Sequence, residues 1–363
     1  AASDVYKRQV LQRAVLPGVL GYACFHPCED SCRRGVLDEP EAICALKRYI
    51  SDATESRTPK VVKSPPTGRR VAVIGGGPAG LAASAELLRD GHSVTVFDRE
   101  RRLGGMLRQA IPNFRLPDEV VERDLRYIHS LGLETRLGVE FGRDIDLDGL
   151  RAEGFDAVVL AVGLSEAARL DLEGEGLEGV EFGLDFLRRV AAGEAGRFTE
   201  PVVVIGGGNV AVDVAMTARR LGAGEVTMIC LEDTDEMPAF REELEAAYEE
   251  GIDVMHRWGV EAIEGDDGKV SRVVLKRCTR VFDEQNRFNP AYDVSETKTV
   301  ATGRLIIASG QRPGLEVASY LNENEGIFAA GDAVTGPSSI VSAMADGVRA
   351  AERVNAYLNG SSE

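Results

Sequence analysis

Two stretches of the chain run from a short block of apolar, mostly β-branched residues through a glycine turn into a helical repeat and back to a second apolar block. RRVAVIGGGPAGLAASAELLRDGHSVTVFD, residues 69–98, predicts strand, turn, helix and strand, and EPVVVIGGGNVAVDVAMTARRLGAGEVTMICLE, residues 200–232, predicts the same unit again. Two copies of one βαβ unit some 130 residues apart predict an α/β chain with two Rossmann-like dinucleotide-binding domains. Near the end, LIIASGQRP (residues 305–313) and GIFAAGDAVTGPSSIVSAMADGVRAAERV (residues 326–354) alternate strand, loop and helix with no new glycine fingerprint. The simplest arrangement lets them complete the first domain's sheet, with the second domain inserted: residues 70–167 and 301–359 for the first, 168–300 for the second. Upstream, residues 10–53 predict short helices ending in EAICALKRYISDA, whose apolar positions recur at helical spacing, and residues 54–69, rich in Pro, Ser, Thr and basic residues, predict a linker. Residues 1–9 carry no structural signal; DVYKRQ is the translation of a transposase sequencing adapter, so these nine are expected to be an appended tail and the native start to be lost.

The first glycine turn is Gly75-x-Gly77-Pro78-Ala79-Gly80, placed between a strand and a helix. The first glycine permits the tight turn, the second admits a pyrophosphate to the backbone, and the third lets helix and strand pack closely. The helix N-terminus then faces the phosphates. Eighteen residues past Gly80, Asp98 ends the next strand, where a carboxylate accepts hydrogen bonds from a ribose. The second turn, Gly206-x-Gly208-Asn209-Val210-Ala211, has alanine for the third glycine, and Glu232 follows at the end of the strand EVTMICL. Binding a 2′-phosphate at that strand end calls for an arginine, but Cys230, Leu231 and Glu232 stand there, and glutamate repels a phosphate while accepting from a free 2′-hydroxyl. NAD(H) is therefore expected in preference to NADP(H), unless Glu232 points to solvent and a base such as Arg241 serves instead.

Charge and cysteine usage narrow the partners. The chain has 363 residues, 44% of them apolar, and a net charge of −17 from 59 acidic and 42 basic side chains, which argues against nucleic acid or an anionic membrane surface. No apolar run spans a bilayer without a charge or a glycine triplet, so no membrane insertion is expected. Four of the six cysteines fall within residues 24–44, unlike a disulfide framework spread through a secreted chain, so a reducing, cytoplasmic compartment is expected. The cluster CFHPCEDSCRRG places Cys24, Cys28 and Cys32 at four-residue spacing, with Cys44 twelve residues on. These four alone holding a zinc ion or one cluster, or Cys44 being a buried small hydrophobe, are the alternatives the spacing leaves open. Cys230 and Cys278 stand alone, and no cysteine lies between residues 70 and 229, where a disulfide reductase of this architecture needs a pair beside its flavin.

The stretches PGVLGYACFHPCEDSCRRG, VAVIGGGPAGLAAS, GGMLRQAIPNFRLP, GGGNVAVDVA, DEMPAFREE and GIFAAGDAVTGPSSIVSAMADG together resemble the small subunit of glutamate synthase and the FAD/NADPH-binding part of dihydropyrimidine dehydrogenase. The resemblance runs from about residue 10 onward. It implies FAD in the first domain, on Gly75, Gly77, Pro78, Ala79, Gly80 and Asp98, with Gly105, Met106, Leu107 and Gly163 near the flavin ring and Gly331, Asp332, Ser339 and Ile340 completing the site. It implies a nicotinamide nucleotide in the insert, on Gly206, Gly208, Asn209, Val210, Ala211, Asp213, Glu232 and Gly310. The family's strand end usually reads Tyr-Arg-Arg for NADPH, so the Cys230-Leu231-Glu232 departure points again to NAD.

The resemblance also implies a small α-helical iron-sulfur domain in residues 10–53 with two 4Fe-4S cubanes cross-ligated from two cysteine-rich runs, Cys24 and Cys28 serving one and Cys32 the other, the remaining ligands lying upstream. The path between Gln311 and Gly326 is shorter than the family's, which leaves flavin retention open. The function implied is an electron-input subunit. It oxidises NADH through FAD and iron-sulfur centres for a partner, the glutamate synthase large subunit or another redox enzyme, with no side-chain acid or base required. A self-sufficient NADH diaphorase and a non-catalytic flavin-binding regulatory or assembly module are the alternatives.

Overall fold

The computed structural model describes residues 2–54, 62–322 and 325–360. The chain divides into two compact units: Ala1–Arg108, Asn113–Ser165 and Arg312–Glu363 form the first, Gln109–Pro112 and Glu166–Gln311 the second. In chain order the strands are β1 (Arg70–Ile74), β2 (Ser93–Asp98), β3 (Glu134–Leu137) and β4 (Ala157–Leu160), then β5 (Glu166–Ala167), β6 (Val180–Phe182), β7 (Val202–Ile205), β8 (Val226–Ile229) and β9 (Asp253–Met255). They continue as β10 (Trp258–Asp266), β11 (Lys269–Phe282), β12 (Phe288–Ala301), β13 (Arg304–Ile307), β14 (Gln311–Arg312) and β15 (Ile327–Ala329).

The first unit is built on a parallel sheet in the order β15-β4-β1-β2-β3. Its central strands are apolar at nearly every position because both faces are covered, as parallel sheets require. On one face Ala72, Ile74, Phe97, Val158, Leu160 and Ile327 share a core with Leu150, Phe155 and Val317. Val317 belongs to the shortened path after Gln311: a 3-10 turn, Val317–Ser319, puts that side chain into the core at 2% exposure, and Tyr320 meets the Phe141 ring edge-on at 5.4 Å.

The N-terminal helices belong to this unit. Ala2–Arg13 is helical, although its first eight residues offered no structural signal, and it is anchored by buried Leu11. Helix Pro17–Ala23 is bound from below by helix Asp118–Ser130, with the Val19 N–H donating to Asp124 Oδ2 at 2.8 Å inside the core. Helix Ile43–Ala53 crosses it so closely that a side chain on Gly21 would stop 2.6 Å from the Arg48 Cα.

The second unit has its own parallel sheet, β6-β13-β7-β8-β9, and a three-stranded antiparallel sheet β10-β11-β12. Strand β13 corrects the expectation that LIIASGQRP completes the first sheet: Leu305, Ile306 and Ile307 pair with Val203, Val204 and Ile205. An apolar run flanked by turns fits any parallel sheet equally well, and the sequence pattern does not say which neighbour it will find. β15 does return to the first sheet, beside β4. Between β9 and β13 the crossover is the antiparallel β10-β11-β12 sheet, whose Ile263, Val270, Val273 and Leu275 close the core over Val203, Ile205 and Ile229.

Candidate functional site

In a parallel sheet of this kind the ligand crevice opens at the carboxyl ends of the strands, where the strand order reverses. In the first unit that point lies between β1 and β4. Gly75, at φ +107°, turns the chain there, and a Cβ on it would stop 2.3 Å from the carbonyl oxygen of Ala161, just past β4. No L side chain fits that conformation or that gap. Gly80, one turn into helix Pro78–Arg89, lies against the Gly75 carbonyl, where a Cβ would come within 1.9 Å. Gly77 is different. It precedes the helix, Pro78 takes the first helical position, and the nearest atom to a Cβ on Gly77 is the Gly105 Cα at 4.0 Å. This open space before a twelve-residue helix, whose first N–H groups have no intrahelical partner, fits a pyrophosphate.

The residues expected around it are gathered in this unit. Gly105 sits against Gly77, and the Gly104 N–H donates to the Gly76 carbonyl at 2.8 Å. Met106 is half-buried beside it, while Leu107 is fully packed away. Asp98 is 7% exposed, and its carboxylate accepts the Gly76 N–H at 2.6 Å and the Glu100 N–H at 2.8 Å. It thus braces the turn, with lone pairs left for a ribose. Burial pushes its pKa up, and the two N–H bonds oppose that shift. Gly163, at φ +63°, follows β4 with nothing within 4 Å of its missing side chain. Gly331 donates its N–H to Asp346 Oδ2 at 2.6 Å, and Asp332 Oδ1 accepts from the Ser338 hydroxyl at 2.6 Å. Ser339 caps helix Ile340–Leu358 by accepting the Ser342 N–H at 3.1 Å. Gly347 was not singled out from the sequence; a Cβ there would stop 2.1 Å from the Ala79 carbonyl, so this helix lies directly on the first turn's helix.

The second unit repeats the device. Gly206, at φ +145°, turns the chain after β7, and a Cβ on it would stop 2.5 Å from the Ala308 carbonyl past β13. The Gly206 N–H donates to the Ile229 carbonyl at 2.9 Å, as the Gly75 N–H does to Phe97 at 2.8 Å. Buried Ala211 fills the third glycine's place, and Gly208, before helix Asn209–Arg220, has open space where a side chain would lie. Asn209 Oδ1 accepts the Phe240 N–H at 2.8 Å and so holds the DEMPAF segment over the turn; Val210 is half-buried, Asp213 is 5% exposed, and Gly310, at φ +129°, follows β13.

The position of Glu232 differs from the expectation. β8 ends at Ile229, and register pairs Ile74 with Phe97 and Ile205 with Ile229, so Cys230 is the counterpart of Asp98. Glu232 lies two residues further on, yet its carboxylate folds back: Oε2 lies 2.6 Å from where a side chain on Gly207 would begin. Burial pushes its pKa up, against bonds from nearby backbone N–H groups. Arg241, weighed as a substitute base, is 91% exposed and paired with Glu245.

The cysteines do not assemble a centre. Cys24 follows helix Pro17–Ala23, Cys28 lies exposed in the short helix Pro27–Asp30, and Cys32 accepts the Glu41 N–H at 3.5 Å, a bond that lowers its pKa. Cys44 turns inward, its thiol donating to the Leu20 and Gly21 carbonyls at 3.4 and 3.5 Å, and burial raises its pKa. All six thiols are free, and among the described residues no three His, Cys, Asp or Glu side chains are grouped so as to hold a metal ion. The residues present therefore do not by themselves fit a cluster. Nor, among the described residues, is any helix long and apolar enough to cross a membrane.

Residues 69–347 match the family model described as pyridine nucleotide-disulphide oxidoreductase. Among curated proteins, the chain is 33% identical over 394 residues to the NADP(+)-dependent formate dehydrogenase subunit beta of Moorella thermoacetica, covering 96% of this chain and 55% of that protein. It is also 33% identical to the NAD-dependent dihydropyrimidine dehydrogenase subunit PreT of Escherichia coli, covering 92% of this chain and 79% of that one. Identity to the glutamate synthase [NADPH] small chain of Halomonas elongata is again 33%, over 95% of this chain and 80% of the relative. Among solved structures, FprA from Mycobacterium tuberculosis aligns with a TM-score of 0.69 at 18% identity, over 83% of this chain and 87% of that one, which shows a shared fold.

Proposed function

The chain belongs to the pyridine nucleotide-disulphide oxidoreductase family, and from that premise we propose that it is an FAD-dependent oxidoreductase taking a hydride from NADH in preference to NADPH and delivering electrons to a partner protein. The observation that carries this reading is the repetition of one glycine-turn geometry at the switch point of each sheet, with the Glu232 carboxylate folded against Gly207 in the second.

In this reading Gly75, Gly77 and Gly80 admit the FAD pyrophosphate to the N-terminus of helix Pro78–Arg89, and Asp98 holds the adenosine ribose. Gly105, Met106 and Gly163 surround the flavin ring while Leu107 stays packed in the core, with Gly331, Asp332, Ser339 and Ile340 completing the site. FAD, when bound, supplies two-electron acceptance from a reduced nicotinamide and one-electron release. The insert's Gly206, Gly208, Asn209, Val210, Ala211, Asp213 and Gly310 hold the nicotinamide nucleotide, and Glu232 meets its 2′-hydroxyl and repels a 2′-phosphate. The relatives' names include both NAD and NADP, so the preference rests on this side chain.

The relatives named as subunits of larger redox enzymes support a protein acceptor, and the absence of any cysteine from residues 70–229 speaks against a disulfide one. Cys24, Cys28 and Cys32 would supply thiolates to iron-sulfur centres only together with further ligands, and no step is assigned to them. The test compares FAD-loaded and FAD-stripped chain in NADH oxidation with a soluble one-electron acceptor. Turnover that requires FAD and favours NADH over NADPH supports the proposal; oxidation independent of FAD, or absent with FAD bound, contradicts it.

A further inference from the structure

The segment that lies against the first glycine turn is held by an ion cluster that this reading leaves unused. Gly104 and Gly105 both have positive φ, +128° and +53°, and a Cβ on Gly105 would stop 2.9 Å from the Gly77 Cα. Their placement therefore sets the room left in front of helix Pro78–Arg89. The Arg108 side chain runs back over them: its Nε donates to the Leu103 carbonyl at 2.6 Å, and a Cβ on Gly104 would stop 3.0 Å from its Cγ and Nε. The far end of the guanidinium donates to Asp118 Oδ1 and, at 2.8 Å, to Glu122 Oε1. Helix Asp118–Ser130 carries both acids one turn apart and is itself pinned. Asn113 Oδ1 accepts the Asp118 N–H at 2.8 Å, Asp124 accepts the Val19 N–H in the core, and Arg123 pairs with Asp52 at 2.8 Å. Arg102 reaches the same two carboxylates from solvent, its side chain 55% exposed against 8% for Arg108, and among the described residues its guanidinium bonds nothing else.

We propose that Arg108 is a positioning residue for FAD: by linking the Leu103 carbonyl to the acids of helix Asp118–Ser130, it fixes Gly104, Gly105 and Met106 at the distance from Gly77 that admits the cofactor. The role rests on the first unit being the FAD site, and it falls to a residue outside the glycine turns. Arginine is the side chain this task needs. Its fork donates in two directions at once, Nε to a carbonyl and both Nη groups to carboxylates, whereas a lysine ammonium is one point charge that neutralises the acids without also reaching back. Burial strengthens the bonds of Arg108 relative to those of Arg102, whose exposed guanidinium is screened by water. Without the link, two adjacent glycines, the residues with the most backbone freedom, would have to be ordered by the cofactor itself, and that cost appears as weaker binding.

The experiment is a fluorescence titration of the full, flavin-free chain with FAD, for wild type, Arg108→Lys, Arg108→Gln and Arg102→Gln. Thermal melts of each flavin-free chain and absorbance spectra at saturating FAD accompany it. Arg108→Lys should keep the wild-type melt, yet raise the FAD dissociation constant about tenfold or more and shift the visible band of the bound flavin. Arg108→Gln should weaken binding at least as much; Arg108→Lys, which keeps the charge, carries the test if the glutamine variant does not fold. Arg102→Gln should bind FAD within about twofold of wild type. Wild-type affinity and spectrum in Arg108→Lys overturn the proposal, because a charge alone then suffices. So does a loss of affinity in Arg108→Lys matched by a lowered melt, which marks a merely structural residue, or an Arg102→Gln chain that loses FAD as readily as the Arg108 variants. A wild-type chain that binds no FAD overturns the reading on which the proposal rests.

Discussion

A side chain placed on Gly208 meets nothing within 4 Å, whereas one placed on Gly206 stops 2.5 Å from a backbone carbonyl at φ +145°. The two glycines should therefore fail differently. Gly208→Ala should leave stability within about 0.5 kcal/mol but weaken NAD+ binding about tenfold or more, because the methyl group fills the space offered to phosphate. Gly206→Ala should cost more than about 1 kcal/mol in a denaturant melt. Equal effects on melting would contradict this division of labour. The thiols make a second contrast. Cys28 is exposed and the Cys32 pKa is lowered by the Glu41 N–H, whereas Cys230 is 2% exposed and pushed up to about 12. In the native, cluster-free chain, alkylation at neutral pH followed by mass spectrometry should label Cys28 and Cys32 first and Cys230 only on unfolding. At this scale the glycines were legible in the sequence because their spacing carries their function. Glu232 was legible only as an acid near the strand end. That register makes Cys230 the counterpart of Asp98 in the second unit, and that His256 lies beside Cys230 just past β9, depends on pairings that no local pattern encodes.

Among elements, the contact of helix Ile340–Leu358 with helix Pro78–Arg89 depends on Gly347 having no side chain. Gly347→Ala, with 2.1 Å to the Ala79 carbonyl, should destabilise the chain by about 1–3 kcal/mol and lower its flavin content after purification. In the second unit β13 is tied down by Arg304, which pairs with Glu181 and Glu200 at 2.9 Å each and lies over the Phe198 ring. Burial alone would raise the Glu200 pKa, but bonds from the Thr199 and Glu200 N–H groups and Arg304 win and hold it at about 2, below its ordinary 4.5. With the folded value depressed, the ion contributes stability above about pH 4.5 that is lost as pH falls toward about 2. Glu200→Gln should flatten the stability profile of the chain in that window, measured by urea melts across pH; an unchanged slope would contradict the assignment. The sequence predicted both βαβ units but misplaced β13, since LIIAS is as good a core strand for one sheet as for the other. The periodicity that reveals a strand says nothing of its neighbours.

For the whole molecule, the sequence repeat foretold two parallel sheets with a glycine turn at each, and the structure gives both the same arrangement around the turn-bearing strand. The cysteine run was legible as chemistry but not as a site, because grouping three thiols needs more than their spacing. The chain spans 55% of the formate dehydrogenase subunit it matches, so the acceptor that completes its electron path is part of the proposal. The claim at the centre, that a nucleotide held by the second unit reduces a flavin held by the first, has one direct test. FAD-loaded chain is titrated anaerobically with NADH and, separately, NADPH while flavin absorbance is followed. The account predicts bleaching complete near one NADH per flavin, with NADPH effective only at much higher concentration. Bleaching by NADPH alone would contradict the role of Glu232, and flavin left oxidised by both nucleotides would contradict the oxidoreductase itself.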